Sequence, residues 1–202
     1  MGVRYLLVLD FEATCSETLP RDEMEIIEWP VVVIDVVART IIAEFHSYIR
    51  PTRHGGVLAP FCTSLTGISQ AVVDGAPAFS IVYRDAQAFC APYLEDGLFV
   101  TCGDWDLNAM LPTQCRFSGA EIPEAYTRWV NIKFAFRDWQ GTRVRGMAEM
   151  LEKLGLPLVG RHHSGIDDTR NIAAIVLRML EGGHDFVYTS VLRQPRHGRR
   201  RT

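Results

Sequence analysis

Three stretches near the start of the chain are apolar without helical spacing. Residues 4–10, Arg-Tyr-Leu-Leu-Val-Leu-Asp, form a continuous apolar run that ends in an acid, the pattern of a central strand covered on both faces. Residues 26–35 are dominated by valine and isoleucine and predict a second strand, and residues 41–50 predict a third. The short link Ala38-Arg39-Thr40 makes these two an antiparallel pair, which Pro51 closes. Residues 52–77 read as loop, broken by Gly55-Gly56, Pro60, Gly67 and Gly75. Short helical patches at 59–65 and 69–74 fit inside it, the second capped by Ser69. Pro77 suits the first turn of a helix. Phe79, Val82, Tyr83, Ala86, Phe89 and Tyr93 then recur at three and four residues and carry that helix to Leu94. Beyond it the pattern predicts a strand at 98–102, a helix at 106–114, a fifth strand at 129–132 and a helix at 147–154 that Gly155 stops. The clearest helix is Asp168–Glu181, apolar at Ile172, Ala173, Ile175, Val176, Met179 and Leu180 and ended by Gly182-Gly183. Three strands, a helix, then alternating strand and helix predict an α/β domain with a mixed, mostly five-stranded sheet flanked by helices.

Composition changes this picture little. The 202 residues suit one domain, set at residues 1–190, and 48% hydrophobic with 22% charged residues is ordinary for a globular chain. No apolar run reaches the roughly 20 residues of a membrane span. Tyr5–Leu9 is too short for a signal core, and Leu6 stands where myristoylation wants Ser or Thr. An intracellular protein, cytoplasmic or nuclear, is expected. The five cysteines, Cys15, Cys62, Cys90, Cys102 and Cys115, form no C-x-x-C pair and read as reduced, packed thiols. A net charge of −3 argues against a uniformly basic surface.

Candidate chemistry sits at the strand ends. Asp10 and Glu12 are two apart on a strand, so both carboxylates project from one face, at an edge where open α/β sheets carry ligands. Two oxygen-only donors suit a hard divalent cation such as Mg²⁺ or Mn²⁺. Cys102-Gly103-Asp104-Trp105-Asp106-Leu107 follows a strand and opens a helix; a helix cap explains one of its two acids but not both. His162-His163-Ser164-Gly165-Ile166-Asp167-Asp168 is a loop feeding the last helix, and it can bring an imidazole and a carboxylate to one metal edge. Lys133, Arg161 and Arg170 lie near these segments and read as solvated cations, with phosphate contact as the alternative. Trp29, Trp129 and Trp139 read as packing residues.

Taken together, the three segments resemble, in order and context, the motifs of the DEDDh exonucleases. The likeness narrows to the Eri1-like exoribonucleases through Asp10-Phe11-Glu12-Ala13-Thr14-Cys15, Glu25–Val32, Phe61–Ile68, Trp105-Asp106-Leu107 with Gln114-Cys115, Gly160–Asp168 and Asn171-Ile172-Ala173. It departs from them at Trp29, where relatives more often have phenylalanine, and at His162, where they have proline. This resemblance implies an RNase H-like (DnaQ-like exonuclease) fold and hydrolysis of RNA from a free 3′-hydroxyl end to nucleoside 5′-monophosphates. It implies two Mg²⁺ or Mn²⁺ ions, one held by Asp10, Glu12 and Asp168 and a second by Asp10 and Asp106, with His163 as the general base. It implies that Phe61 and Trp105 stack on the terminal base, while backbone near Glu12 and Ala13 meets the ribose. A DNA-directed DEDDh exonuclease and an inactive RNA-binding scaffold are the alternatives. The segment 191–202, with five arginines between Arg193 and Thr202, reads as a solvated basic tail, or as an arm that grazes RNA.

Overall fold

A computed structural model describes residues 2–193. Seven strands form one mixed sheet in which β1 (Tyr5–Leu9) lies at the centre. On one side β1 pairs antiparallel with β3 (Ile26–Asp35), which pairs with β4 (Thr40–Tyr48). On the other it runs parallel to β5 (Gly97–Thr101), and β5 runs parallel to β6 (Arg128–Asn131). The first strand, the antiparallel pair and the two later strands are thus where the apolar pattern places them. Two strands are additional to the expected five. They are β2 (Glu12–Ala13), on β3, and β7 (Ser190–Val191), on β6. Each is two residues long, too short to show any alternation. Val191, the first residue of the expected tail, therefore pairs in the sheet, while residues 194–202 lie outside the described residues.

Alternation on β1 divides the core. Leu7 and Leu9 face a layer containing Trp29, Phe79, Val82 and Tyr126, under α3 (Phe79–Cys90) and α4 (Leu111–Ser118). Leu6 and Val8 face the other layer, under α5 (Ile132–Gln140), α6 (Met147–Leu154) and α7 (Gly165–Glu181). Every residue of β3 is buried, as a strand covered on both faces requires. Pro30 is tolerated within it because it lies opposite the break between β1 and β2: pairing with β1 ends at Leu9↔Val31, and pairing with β2 starts at Glu12↔Glu28. That break is where Asp10 sits.

The loop 52–77 holds two short helices, α1 (Pro60–Thr66) and α2 (Gln70–Asp74), and the Ser69 hydroxyl accepts from Val72 N–H to cap the second. The helix expected at 106–114 begins as a π-helical turn, Asp106–Met110, before α4. Pro112 supplies the reason: it has no N–H to return to the preceding turn, so the helix widens there. Helix α5 was not expected, because Ile132 reads as the end of β6. Among the described residues no helix is long and apolar enough to cross a membrane.

Candidate active site

Four carboxylates converge at the ends of β1, β2, β5 and the start of α7. Asp10 and Glu12 share one face, as the period of a strand dictates, while Phe11 between them turns into the core. Its ring meets Trp29 edge-on, with centroids 4.7 Å apart, and this packing holds the two acids outward. Phe11 N–H also donates to Asp106 Oδ1 (2.9 Å), tying the first acidic segment to the second. Helix α7 supplies Asp168. Ligand atoms of Asp10, Glu12 and Asp168 lie within 4.8 Å of one another. Asp106 stands outside this triad but close enough to act on Asp10 electrostatically.

Each ambiguous pair of acids separates by its partners. Asp104 Oδ1 accepts from Trp129 Nε1 (3.1 Å), Asn131 Nδ2 (3.0 Å) and Ser190 Oγ (2.7 Å), so it braces the β5–β6–β7 edge. Asp106 is the acid that faces Asp10. Asp167 Oδ2 accepts from Arg161 N–H (2.9 Å) and closes the loop before α7. Asp168 Oδ2 accepts from His163 N–H (2.8 Å), and its other oxygen, Oδ1, is buried with no hydrogen-bond partner.

Burial and mutual repulsion load this cluster. Burial first, then the charges of Asp106, Glu12 and Asp168, hold the Asp10 carboxyl well above the usual carboxylate range. Burial, followed by Glu28, Asp168 and Asp106, pushes Glu12 up to about 9. Burial raises Asp106 to about 6, opposed by the Phe11 N–H, and raises Asp168 to about 6, opposed by the His163 N–H. An all-oxygen set with an orphaned, buried carboxylate oxygen fits a hard divalent cation, whose charge relieves the crowding. Partial burial, then His162 and Arg161, lowers the His163 pKa, which favours a neutral imidazole. His163 takes a left-handed backbone conformation (φ 66°), and its ring stacks on His162 at 4.0 Å between centroids. Both imidazoles therefore sit at the Asp168 edge, with His162 Nε2 4.0 Å from Asp168 Oδ2.

An open groove beside the acids is lined by Phe11, Glu12, Ala13, Cys15, Arg21, Met24, Leu65 and Trp105. Ala13 and Trp105 are in it as expected. Phe61 is not among its lining residues; it stands exposed on α1, one turn before Leu65, which is. Arg161 is exposed, as expected of a surface cation, but it is not free. Its guanidinium donates to the Ser64 (2.6 Å) and Leu65 (3.2 Å) carbonyls, joining the loop before α7 to the end of α1. Arg170 pairs with Glu44 (2.6 Å).

One residue of the site escaped the sequence. Glu28, fully buried on β3, accepts from Gly165 N–H and Ile166 N–H (both 3.0 Å) and from His46 Nε2 (2.8 Å). It anchors the positive end of α7 and so places Asp168. Gly165 must be glycine for this approach: a Cβ there would come within 3.0 Å of both the Asp10 carbonyl oxygen and the Glu28 carboxylate. An acid inside the apolar run Ile26–Val33 was the available signal.

Comparison with known proteins gives the family. Residues 7–176 match the RNase T family described as exonuclease. ERI1 exoribonuclease 3 of Homo sapiens is 41% identical over 195 residues, an alignment covering 92% of this chain and 56% of that protein. The chain thus spans about half the length of the curated relatives it matches. The crystal structure of the nuclease domain of 3′hExo, a DEDDh family member, bound to rAMP superposes with a TM-score of 0.88 at 34% identity, covering 94% of this chain and 98% of that one. A structure of 3′-end specific recognition of histone mRNA stem-loop by 3′-exonuclease gives a TM-score of 0.85 at 34% identity, covering 92% and 85%.

Proposed function

Since the chain belongs to the exonuclease family, with the RNase H-like fold of its DEDDh members, we propose that it removes nucleotides one at a time from the 3′-hydroxyl end of RNA. The observation that carries this reading is the Asp10–Glu12–Asp168 triad with Asp106 beside it, next to a groove of nucleotide dimensions. Asp10, Glu12 and Asp168 would hold one divalent cation, Mg²⁺ or Mn²⁺, and Asp10 with Asp106 would hold a second. Two such ions, when bound, stabilise charge on the attacking and leaving oxygens of an in-line displacement. The chain's own groups do the rest. Trp105, Leu65 and Met24 offer apolar surface to the terminal base, a contact tolerant of sequence because every base has a π-face. Phe61, exposed on α1 one turn before Leu65, lies outside that lining and is the further candidate for stacking. Backbone at Glu12 and Ala13 meets the ribose and senses its 2′-hydroxyl. His163 Nδ1 or Nε2 accepts the proton of the attacking water, and its neutral form is the competent one. The product is a nucleoside 5′-monophosphate.

The names of the relatives favour RNA over DNA. Direction and sugar are tested together with 5′-labelled strands. An RNA with a free 3′-hydroxyl shortens as a descending ladder, the same RNA with a 3′-phosphate stays intact, and a matched DNA strand is degraded at least tenfold more slowly. Labelled mononucleotide released first would reverse the polarity, and faster loss of the DNA would transfer the chain to DNA-directed exonucleases.

A further inference from the structure

Helix α5 and the loop after it form a second groove, outside the carboxylate site. It is about 310 Å³ and is lined by Lys133, Phe134, Arg137, Arg143 and Val144. Three of those five side chains are cationic, on a chain whose net charge is −3, so the cluster is not an average sample of the surface. Lys133 and Arg137 are four residues apart and share one side of α5. Among the described residues neither Lys133 nor Arg143 has a carboxylate partner; Arg137 pairs with the adjacent, exposed Asp138 (2.7 Å). Phe134 stands 38% exposed among them, with the Arg137 guanidinium 5.4 Å from its ring centre. A large aromatic kept partly in water among three cations, two of them without a carboxylate partner among the described residues, is poor packing but is suited to a polyanion that also carries stacking bases.

Position strengthens the case. A side chain at Gly103 would come within 3.4 Å of Lys133 Nζ. Gly103 lies two residues before Trp105, which lines the terminal-nucleotide groove, and three before Asp106. Lys133 therefore stands close to the segment that carries Trp105 and Asp106. Asp104, which lines a third pocket together with Phe134, has its Oδ1 engaged by Trp129, Asn131 and Ser190 at the sheet edge.

From this arrangement we infer that Lys133, Arg137, Arg143 and Phe134 form a track for the single RNA strand upstream of the 3′-terminal nucleotide, the cations taking its phosphates and Phe134 stacking on a base. The inference rests on the proposed exoribonuclease reading for its ligand, but binding tests it separately from cleavage. Fluorescence anisotropy with a 5′-labelled single-stranded RNA of about 12 nucleotides, in EDTA so that nothing is cut, compares the wild type with K133A/R137A/R143A, with F134A and with the charge-keeping K133R/R137K/R143K. The neutralised variant binds at least tenfold more weakly, and its log-affinity against log-salt slope flattens by about 2, as loss of three phosphate contacts on a single strand requires. F134A weakens binding severalfold with the salt slope unchanged, and the charge-keeping variant stays near wild type. Hydrolysis in Mg²⁺ of a dinucleotide, which has a single phosphodiester and no phosphate upstream of the one cut, is the same in all four proteins. Affinity and salt slope of the neutralised variant equal to wild type overturn the track. So does an equal loss on the dinucleotide, which marks the residues as structural. Absence of cleavage by the wild type, with this binding pattern intact, would instead overturn the exoribonuclease reading and leave the track standing.

Discussion

His163 and Asp168 carry the sharpest claims at the scale of single residues. The motif alone leaves the register open, because His162–Asp167 has the same spacing as His163–Asp168. Hydrogen bonding separates the two aspartates, while both imidazoles stand at Asp168. Asp167 is spent on Arg161 N–H, whereas Asp168 keeps a buried oxygen without a partner and shares a boundary with Asp10 and Glu12. His163→Ala is expected to lower kcat by about two to four orders of magnitude with metal affinity nearly unchanged. His162→Ala is expected to cost less than about tenfold. Asp168→Asn abolishes turnover and weakens metal binding, while Asp167→Asn loosens only the loop. Steady-state kinetics with a metal titration decide the matter; a dead His162→Ala, Asp167→Asn pair would shift the register by one. The four acids were legible because strand period and helix starts dictate where side chains point. The partner of α7, Glu28, was not, since nothing local in Ile26–Asp35 says what lies across from it.

Elements fix these residues to each other. Helix α7 packs its apolar face on the sheet, and its first turn is tied to β3 by one carboxylate, Glu28, with His46 behind it on β4. Removing a buried acceptor of two N–H groups leaves both donors unsatisfied, at about 1–3 kcal/mol each. Glu28→Ala should therefore destabilise the fold by about 2–6 kcal/mol, and should raise the Mg²⁺ concentration for half-maximal activity because Asp168 loses its fixed position. Chemical denaturation and a metal titration check the two effects. A variant that unfolds earlier yet keeps its metal requirement would reduce Glu28 to a core residue. Helix α5 shows how an element goes unread. Its apolar residues Ile132, Ala135, Phe136 and Trp139 have helical spacing, but Asn131 ends β6 and caps α5 at once, accepting from Lys133 N–H (3.1 Å), so no loop marks the change. The two-residue strands β2 and β7 exist only through their partners β3 and β6.

On the scale of the whole molecule, the fold gathers acids faster than it neutralises them. Asp10, Glu12, Asp106 and Asp168 all have folded pKa values above the usual carboxylate range, so between roughly pH 4 and each raised value the folded chain binds more protons than the unfolded one. Stability of the metal-free protein must then fall as pH rises, first through about 6 and, for Glu12, on to about 9. A divalent cation that bound only the folded cluster would reverse that loss, by about 2.7 kcal/mol at a hundred times Kd. Thermal melts in EDTA should show Tm dropping between pH 6 and pH 9, and the drop should vanish in Mg²⁺. A metal-free Tm that rises over this interval would mean the carboxylates are not crowded.

The central claim is that this carboxylate cluster is a metal-dependent nuclease centre, and the most direct measurement follows 5′-labelled, single-stranded RNA under a metal titration. Purified protein stripped with EDTA is predicted to leave the RNA intact, and Mg²⁺ or Mn²⁺ to restore 3′-to-5′ shortening. Asp10→Asn and Asp168→Asn, folded as judged by circular dichroism, are predicted to stay inactive at every metal concentration. Shortening at the wild-type rate in excess chelator, or by either variant at low metal, would contradict the account.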